Sequence, residues 1–158
     1  QATEVLERLI AESKPQTVVT WAREVFRHWQ LDELWKQPNV HAASGSDDFM
    51  TLVREADIGI TTVDYAIANT GTIVLHTSDK KPRSVSLLPT IHVALIRESQ
   101  IVSRMGETFA PLKEASGQSL PSSVHFISGP SRSSDIENDL SIGVHGPVAL
   151  RAIVVKGV

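Results

Sequence analysis

A four-residue segment in front of an apolar run carries groups that could bind an anion. Its residues are Asn69, Thr70, Gly71 and Thr72. Gly71 can adopt a positive φ and lets a ligand approach the backbone closely, and its neighbours supply amide and hydroxyl groups. Ligands of open α/β sheets bind at loops beyond the carboxyl ends of strands, and a predicted strand ends near Val63. The alternative is a tight turn, in which Asn and Gly are common for conformational reasons. The sequence leaves both interpretations open.

A second candidate is the pair Arg83 and Ser84, at the start of the apolar run that follows Pro82. An arginine at the edge of a core segment can form a bidentate pair with a carboxylate or a phosphate. The alternative is an ordinary surface ion pair. Lys80 and Lys81, just before it, are typical of solvated turn charges.

A third candidate follows a predicted strand that runs into a Gly-Pro pair. A helix is predicted at about residues 133–140, and a helix N-terminus favours a bound anion. Ser131 and Arg132 could add side-chain contacts to that anion. Ser134 and Glu137 match the S-x-x-E capping box, which favours a structural role for those two residues.

Two residues are candidates for proton transfer. His145 lies between glycines in a loop, where an imidazole can act as an acid or a base. Asp64, at the predicted end of a strand, is the other candidate. His92 opens an apolar strand and is predicted to be satisfied in the core.

Composition excludes several functional classes. Fifteen basic and 18 acidic residues give a formal charge of −3, which offers no clustered positive charge for nucleic acid. No stretch approaches the ~20 apolar residues of a membrane-spanning helix. The chain has no cysteine, so it cannot form a disulfide or ligate an iron–sulfur cluster through thiolates. Its six histidines show no close pairing, and no metal site is predicted.

The elements that would position these residues alternate between helical and strand patterns. Helices are predicted at 2–13 and 22–36, from an N-cap at Ser46, and weakly at 106–116; strands are predicted at 17–21, near Val40, and at 57–63, 72–77, 91–98, 124–128 and 150–156. Continuous apolar strands separated in part by helices favour a mainly parallel sheet covered on both faces. The prediction is one α/β domain over residues 1–158.

Four ordered blocks of sequence resemble the LUD-domain (lactate utilisation) family, and within it the LutC-like proteins. The blocks read "DYAIANTGTIVL", "RSVSLLPTIHVALIRESQIV", "FISGPSRSSDIENDLSIGVHGP" and "LRAIVV". They cover residues 57–155, roughly two thirds of the chain. Family members usually begin further upstream, so the resemblance implies that the N-terminal region is incomplete.

The resemblance implies a fold similar to that of the sugar-phosphate isomerase and CoA-transferase group. It also implies a cytoplasmic role in oxidising L-lactate to pyruvate, beside iron–sulfur partner proteins. A chain without cysteine would serve there as a substrate-handling or accessory subunit that binds a small anionic metabolite and no cofactor of its own. The four motif loops, at 64–72, 83–86, 129–132 and 143–147, would then converge on one pocket.

One departure from the family pattern bears on mechanism. The resemblance implies Asp or Glu at the position that Asn69 holds here. An amide can donate and accept hydrogen bonds but cannot take a proton at neutral pH. Covalent catalysis through a carboxylate at this position is therefore not expected. Two other hypotheses stay open, namely a stand-alone enzyme for a phosphorylated or CoA-linked metabolite and a purely structural interaction subunit.

Overall fold

The computed structural model describes residues 2–43, 47–109, 121–134, 140–143 and 145–156. Its helices are α1 (Ala2–Ser13), α2 (Asp47–Glu55) and α3 (Ser84–Leu87), with short 3-10 helices at Arg23–Phe26, Leu34–Lys36 and Glu98–Gln100. Its strands are β1 (Val18–Thr20), β2 (Val40–Ala42), β3 (Ile58–Thr62), β4 (Tyr65–Ile67), β5 (Thr72–His76), β6 (Ile91–Arg97), β7 (Ile101–Val102), β8 (Val124–Ile127), β9 (Arg132–Ser134), β10 (Leu140–Ile142) and β11 (Ala149–Val155). Residues 106–109 are also helical.

A five-stranded parallel sheet forms the centre of the protein. Its strand order is β11-β6-β3-β1-β2, and every neighbouring pair is parallel. The strands at its centre are continuous apolar runs, as expected for strands buried on both faces. β3 and the interior of β6 are buried along their length. The predicted mainly parallel α/β fold is confirmed.

A second sheet, of order β7-β4-β5-β8, packs against the first. β5 is antiparallel to both β4 and β8, so the segments predicted at 72–77 and 124–128 are strands but lie outside the parallel sheet. Ile73 and Leu75 of β5 belong to the same apolar core as Val93 and Leu95 of β6. An apolar run does not indicate the direction of its strand. Here the short β4–β5 hairpin makes β5 antiparallel to β4.

Gly59 allows helix α3 to lie directly on β3. A Cβ atom added at Gly59 would come within 2.0 Å of the Val85 carbonyl oxygen and 2.8 Å of a Pro89 ring carbon. Only glycine therefore permits this approach of helix to strand. α3 is only four residues long, yet its two ends line two different cavities described below.

The helix predicted at 22–36 is wrong, and the helix predicted at 133–140 differs from the structure at its described ends. Residues 22–36 form two 3-10 helices, whose buried Phe26 and Leu34 follow tertiary packing and not one helical face. Of that second segment, residues 133, 134 and 140 belong to β9 and β10, which pair in an antiparallel ladder, and residues 135–139 lie outside the described part of the chain. Ser134 belongs to strand β9, while Glu137 and Ser46 lie outside the described residues.

Candidate functional site

A cavity of about 260 Å³ lies beside the first residues of β6 and β11. The end of β8, helix α3 and the loops at 129–132 and 145–147 complete its wall. Its lining residues are Ser86, Leu87, His92, Ile127, Gly129, Ser131, Arg132, His145, Gly146, Pro147 and Leu150. The cavity therefore combines apolar walls with two imidazoles, a guanidinium and hydroxyls, a mixture typical of small-molecule sites.

Backbone hydrogen bonds fix the two loops of this cavity to each other. The Ser131 N–H donates to the Pro147 carbonyl at 2.9 Å, and the Gly143 N–H donates to the Ser131 carbonyl at 3.0 Å. Gly143 has φ 81, and a Cβ there would lie 2.1 Å from a Val148 methyl carbon, so glycine is required. The loop carrying His145 and the strand carrying Arg132 are thus held side by side.

His92 supplies a buried polar group to the cavity wall. The residue is 1% exposed, and its Nε2 lies 2.8 Å from the Thr61 hydroxyl on β3. Its other ring nitrogen, Nδ1, is buried and has no hydrogen-bond partner in the described part of the protein. Burial lowers the pKa of His92 to about 4, so the ring is neutral at pH 7.

The guanidinium and the second imidazole of the cavity are accessible to a ligand. Arg132 and His145 are exposed, and within the described ranges Arg132 makes no ion pair. A free guanidinium is suited to bidentate binding of a carboxylate. The arrangement can hold a small anion at Arg132 while an imidazole exchanges a proton.

Asp64 lies in a different hollow and is already engaged. Its Oδ2 accepts a hydrogen bond from the His76 backbone N–H at 2.7 Å, and its Oδ1 accepts one from Lys81 Nζ at 2.8 Å. Lys81 also lies 5.3 Å above the Trp21 ring centroid, so the prediction of a solvated turn charge is wrong for this lysine. The carboxylate joins β5 to the turn after it, which favours a structural role.

The Asn69–Thr72 segment forms the turn of the β4–β5 hairpin. Gly71 has φ 61, the left-handed conformation that this turn requires. Thr72 is buried, and its hydroxyl lies 2.7 Å from the hydroxyls of both Thr70 and Ser128. This chain of hydroxyls leads toward the Gly129 loop, but the turn itself does not line the 260 Å³ cavity. The backbone of this segment therefore forms the tight turn that the sequence left open as an alternative.

Arg83 and Ser84 line a separate hollow at the other end of α3 from Ser86 and Leu87. The prediction that four loops share one pocket is therefore wrong. The 129–132 and 143–147 loops meet in the 260 Å³ cavity together with Ser86, whereas Asp64 and Arg83 border other hollows. Among the described residues, no group of three or more His, Asp or Glu side chains could hold a metal ion.

The comparison with known families supplies the identity of the domain. Residues 2–155 match the model of the LUD domain, which is nearly the whole chain. The chain belongs to the LUD-domain family. The family that the sequence blocks predicted is thereby confirmed.

Curated relatives of this LUD domain carry the name lactate utilization protein C. The protein of Halalkalibacterium halodurans is 40% identical over 97% of this chain and 68% of its own length. Those of Bacillus licheniformis and Shouchella clausii are 40% and 37% identical, over 53% and 69% of their lengths. The chain thus spans between about half and about two thirds of these relatives.

A solved structure shares the fold of this LUD domain. The crystal structure of a DUF162 family protein from Deinococcus radiodurans aligns with a TM-score of 0.67 and 24% sequence identity. The alignment covers 99% of this chain and 82% of that one. At this identity the likeness supports the α/β fold alone. In the described part of the chain, no helix is both long and apolar enough to traverse a bilayer.

The sequence did not single out two residues of the LUD-domain cavity. His92 is predicted to be a satisfied core residue, and it is buried, but its Nδ1 has no partner among the residues that the structure describes and its ring lines the cavity. Ser86 lies within an apolar run, so its sequence context gives no sign of a binding role. The pairing of His92 with Thr61 depends on strand register, which a single sequence does not reveal.

Proposed function

We propose that this LUD domain is a substrate-handling subunit of a cytoplasmic L-lactate utilisation system and binds a small carboxylate in the 260 Å³ cavity. The observation that carries the proposal is the buried His92 Nδ1, which has no hydrogen-bond partner in the described part of the protein, in a cavity that Arg132 also lines. The names of the curated relatives support the substrate class. The cavity volume lies just below the ~300–1,000 Å³ of typical ligand pockets, which suits a small metabolite.

In this proposal Arg132 binds the carboxylate and the imidazoles handle the hydroxyl end of lactate. Guanidinium and carboxylate form two parallel hydrogen bonds, which fix the orientation of the ligand. His145, on the exposed rim, takes the hydroxyl proton. His92 stays neutral at pH 7 and contributes a ring nitrogen to the wall. Asp64 is not given this role because both of its oxygens already accept hydrogen bonds.

Oxidation of lactate to pyruvate releases two electrons and two protons, and the electrons need an acceptor. This chain contains no cysteine, so it supplies no thiolate for an iron–sulfur cluster. We therefore assign the electrons to iron–sulfur partner proteins and the binding of the anion to this domain. The chain itself would bind no redox cofactor in this scheme.

The proposal predicts that lactate-dependent dye reduction by the reconstituted system requires this chain and its cavity. Omitting the chain, or replacing it with Arg132→Ala, should lower the rate at least about tenfold, since a charged hydrogen bond contributes roughly 1.5–3 kcal/mol. The matched control is Arg151→Ala, which removes an exposed arginine of β11 that does not line the cavity. Equal rates with and without the chain would refute its place in the system.

A further inference from the structure

A second hollow, of about 480 Å³, has the chemistry of an oxyanion site and is separate from the carboxylate cavity. We call it the hydroxyl hollow, because its wall carries the side chains of Thr77, Ser78, Ser84, Ser122 and Ser123. Arg83 lines it as well. We propose that the hydroxyl hollow binds the phosphoryl group of an organic phosphate monoester.

The guanidinium of Arg83 is available to such a ligand. Arg83 is exposed and forms no ion pair within the described ranges. Burial lowers the pKa of His125 on β8, and the positive charge of Arg83 lowers it further. A bound anion would be stabilised by this guanidinium, because no described carboxylate neutralises its charge.

The hydroxyls of the hollow are held in place before any ligand binds. The Thr77 hydroxyl lies 2.8 Å from both the Ser122 and Ser123 hydroxyls, and the Ser123 hydroxyl lies 3.0 Å from His125 Nε2. This network joins the end of β5 to the start of β8, and such preorganisation lowers the entropic cost of binding. Ser84 differs from the others, since its Oγ is buried without a partner in the described part of the chain.

The number of donors favours phosphate over carboxylate. A phosphate monoester presents three terminal oxygens, and the hollow offers the fork of Arg83, the Ser84 hydroxyl, which has no partner among the described residues, and the hydroxyl network. Met50 and Pro82 provide an apolar wall for the organic part of the ester. Asp79 also lines the hollow, and its exposed carboxylate opposes a bound anion. Replacing Asp79 should therefore strengthen binding.

The test is calorimetric titration of the intact chain at fixed ionic strength with inorganic phosphate and, separately, with glycerol 3-phosphate. We expect saturable binding that Arg83→Ala weakens at least about tenfold, a loss of about 1.4 kcal/mol. Asp79→Asn should tighten it. Arg104→Ala, which removes an exposed arginine outside the hollow, should leave it unchanged.

Comparing inorganic phosphate with glycerol 3-phosphate tests whether the ligand is an organic ester, and Arg132→Ala tests whether the two sites are separate. Tighter binding of glycerol 3-phosphate than of inorganic phosphate supports a monoester, whereas the reverse order would overturn the assignment of an organic ligand. Arg132→Ala should lose affinity for lactate and keep affinity for phosphate. The proposal fails if neither phosphate binds, if Arg83→Ala binds both normally, or if Arg132→Ala is the variant that loses phosphate.

Discussion

Gly59→Ala should lower the free energy of unfolding by about 3 kcal/mol or more, at the upper end of the cost of overpacking a core. The added methyl carbon would lie 2.0 Å from the Val85 carbonyl oxygen and 2.8 Å from a Pro89 ring carbon. Neither contact is the far end of a flexible side chain, so helix α3 has to move away from β3. Urea denaturation of the variant and the parent chain measures the difference.

The matched control is Gly106→Ala, because no atom of the described residues lies within 4 Å of a Cβ at that position. Its stability should stay the same or rise slightly, since alanine favours a helix over glycine. α3 also carries residues of both proposed sites at its two ends, so Gly59→Ala should weaken both lactate and phosphate binding. Equal unfolding free energies for the two alanine variants would show that α3 does not press on β3 as described.

His92 should make the protein markedly less stable in acid. Burial lowers its pKa from 6.5 to about 4, so between these pH values the unfolded chain binds more protons than the folded one. Stability from this group is complete above about pH 6.5 and is lost as the pH falls toward 4. The loss should reach about 3 kcal/mol. Urea denaturation at a series of pH values measures it.

Comparison with His92→Gln isolates the contribution of this one group. Glutamine does not titrate and can still hydrogen-bond to the Thr61 hydroxyl, so the variant should lose most of the extra pH dependence. His28→Gln is the control, since His28 is exposed and should leave the parent slope intact. A His92→Gln curve parallel to that of the parent would mean that His92 does not titrate at the predicted depressed pKa.

Much of the fold could be predicted because buried parallel strands leave a clear signal. β3, β6 and β11 were all predicted within two residues of their observed bounds, since each is a long, apolar run between polar turns. The predictions failed where packing overrides local pattern. Residues 22–36 have a helical spacing of apolar side chains, but they form two 3-10 helices around buried aromatic residues.

The candidate site could be predicted only in part, for a related reason. The loops at 129–132 and 143–147 carry visible Gly, Arg and His residues, and the structure does bring them together. Asn69 to Thr72 look equally suited to an anion, yet the antiparallel pairing of β4 with β5 makes them a hairpin turn. Strand direction decides which loops become neighbours, and residue types alone do not encode it.

Calorimetric titration of the isolated chain with L-lactate tests the central claim most directly. The account predicts saturable binding that weakens at least about tenfold in Arg132→Ala and is unchanged in Arg151→Ala, as expected when one charged hydrogen-bond donor to the carboxylate is lost. Lactate affinity that is the same in Arg132→Ala as in the parent chain would contradict it.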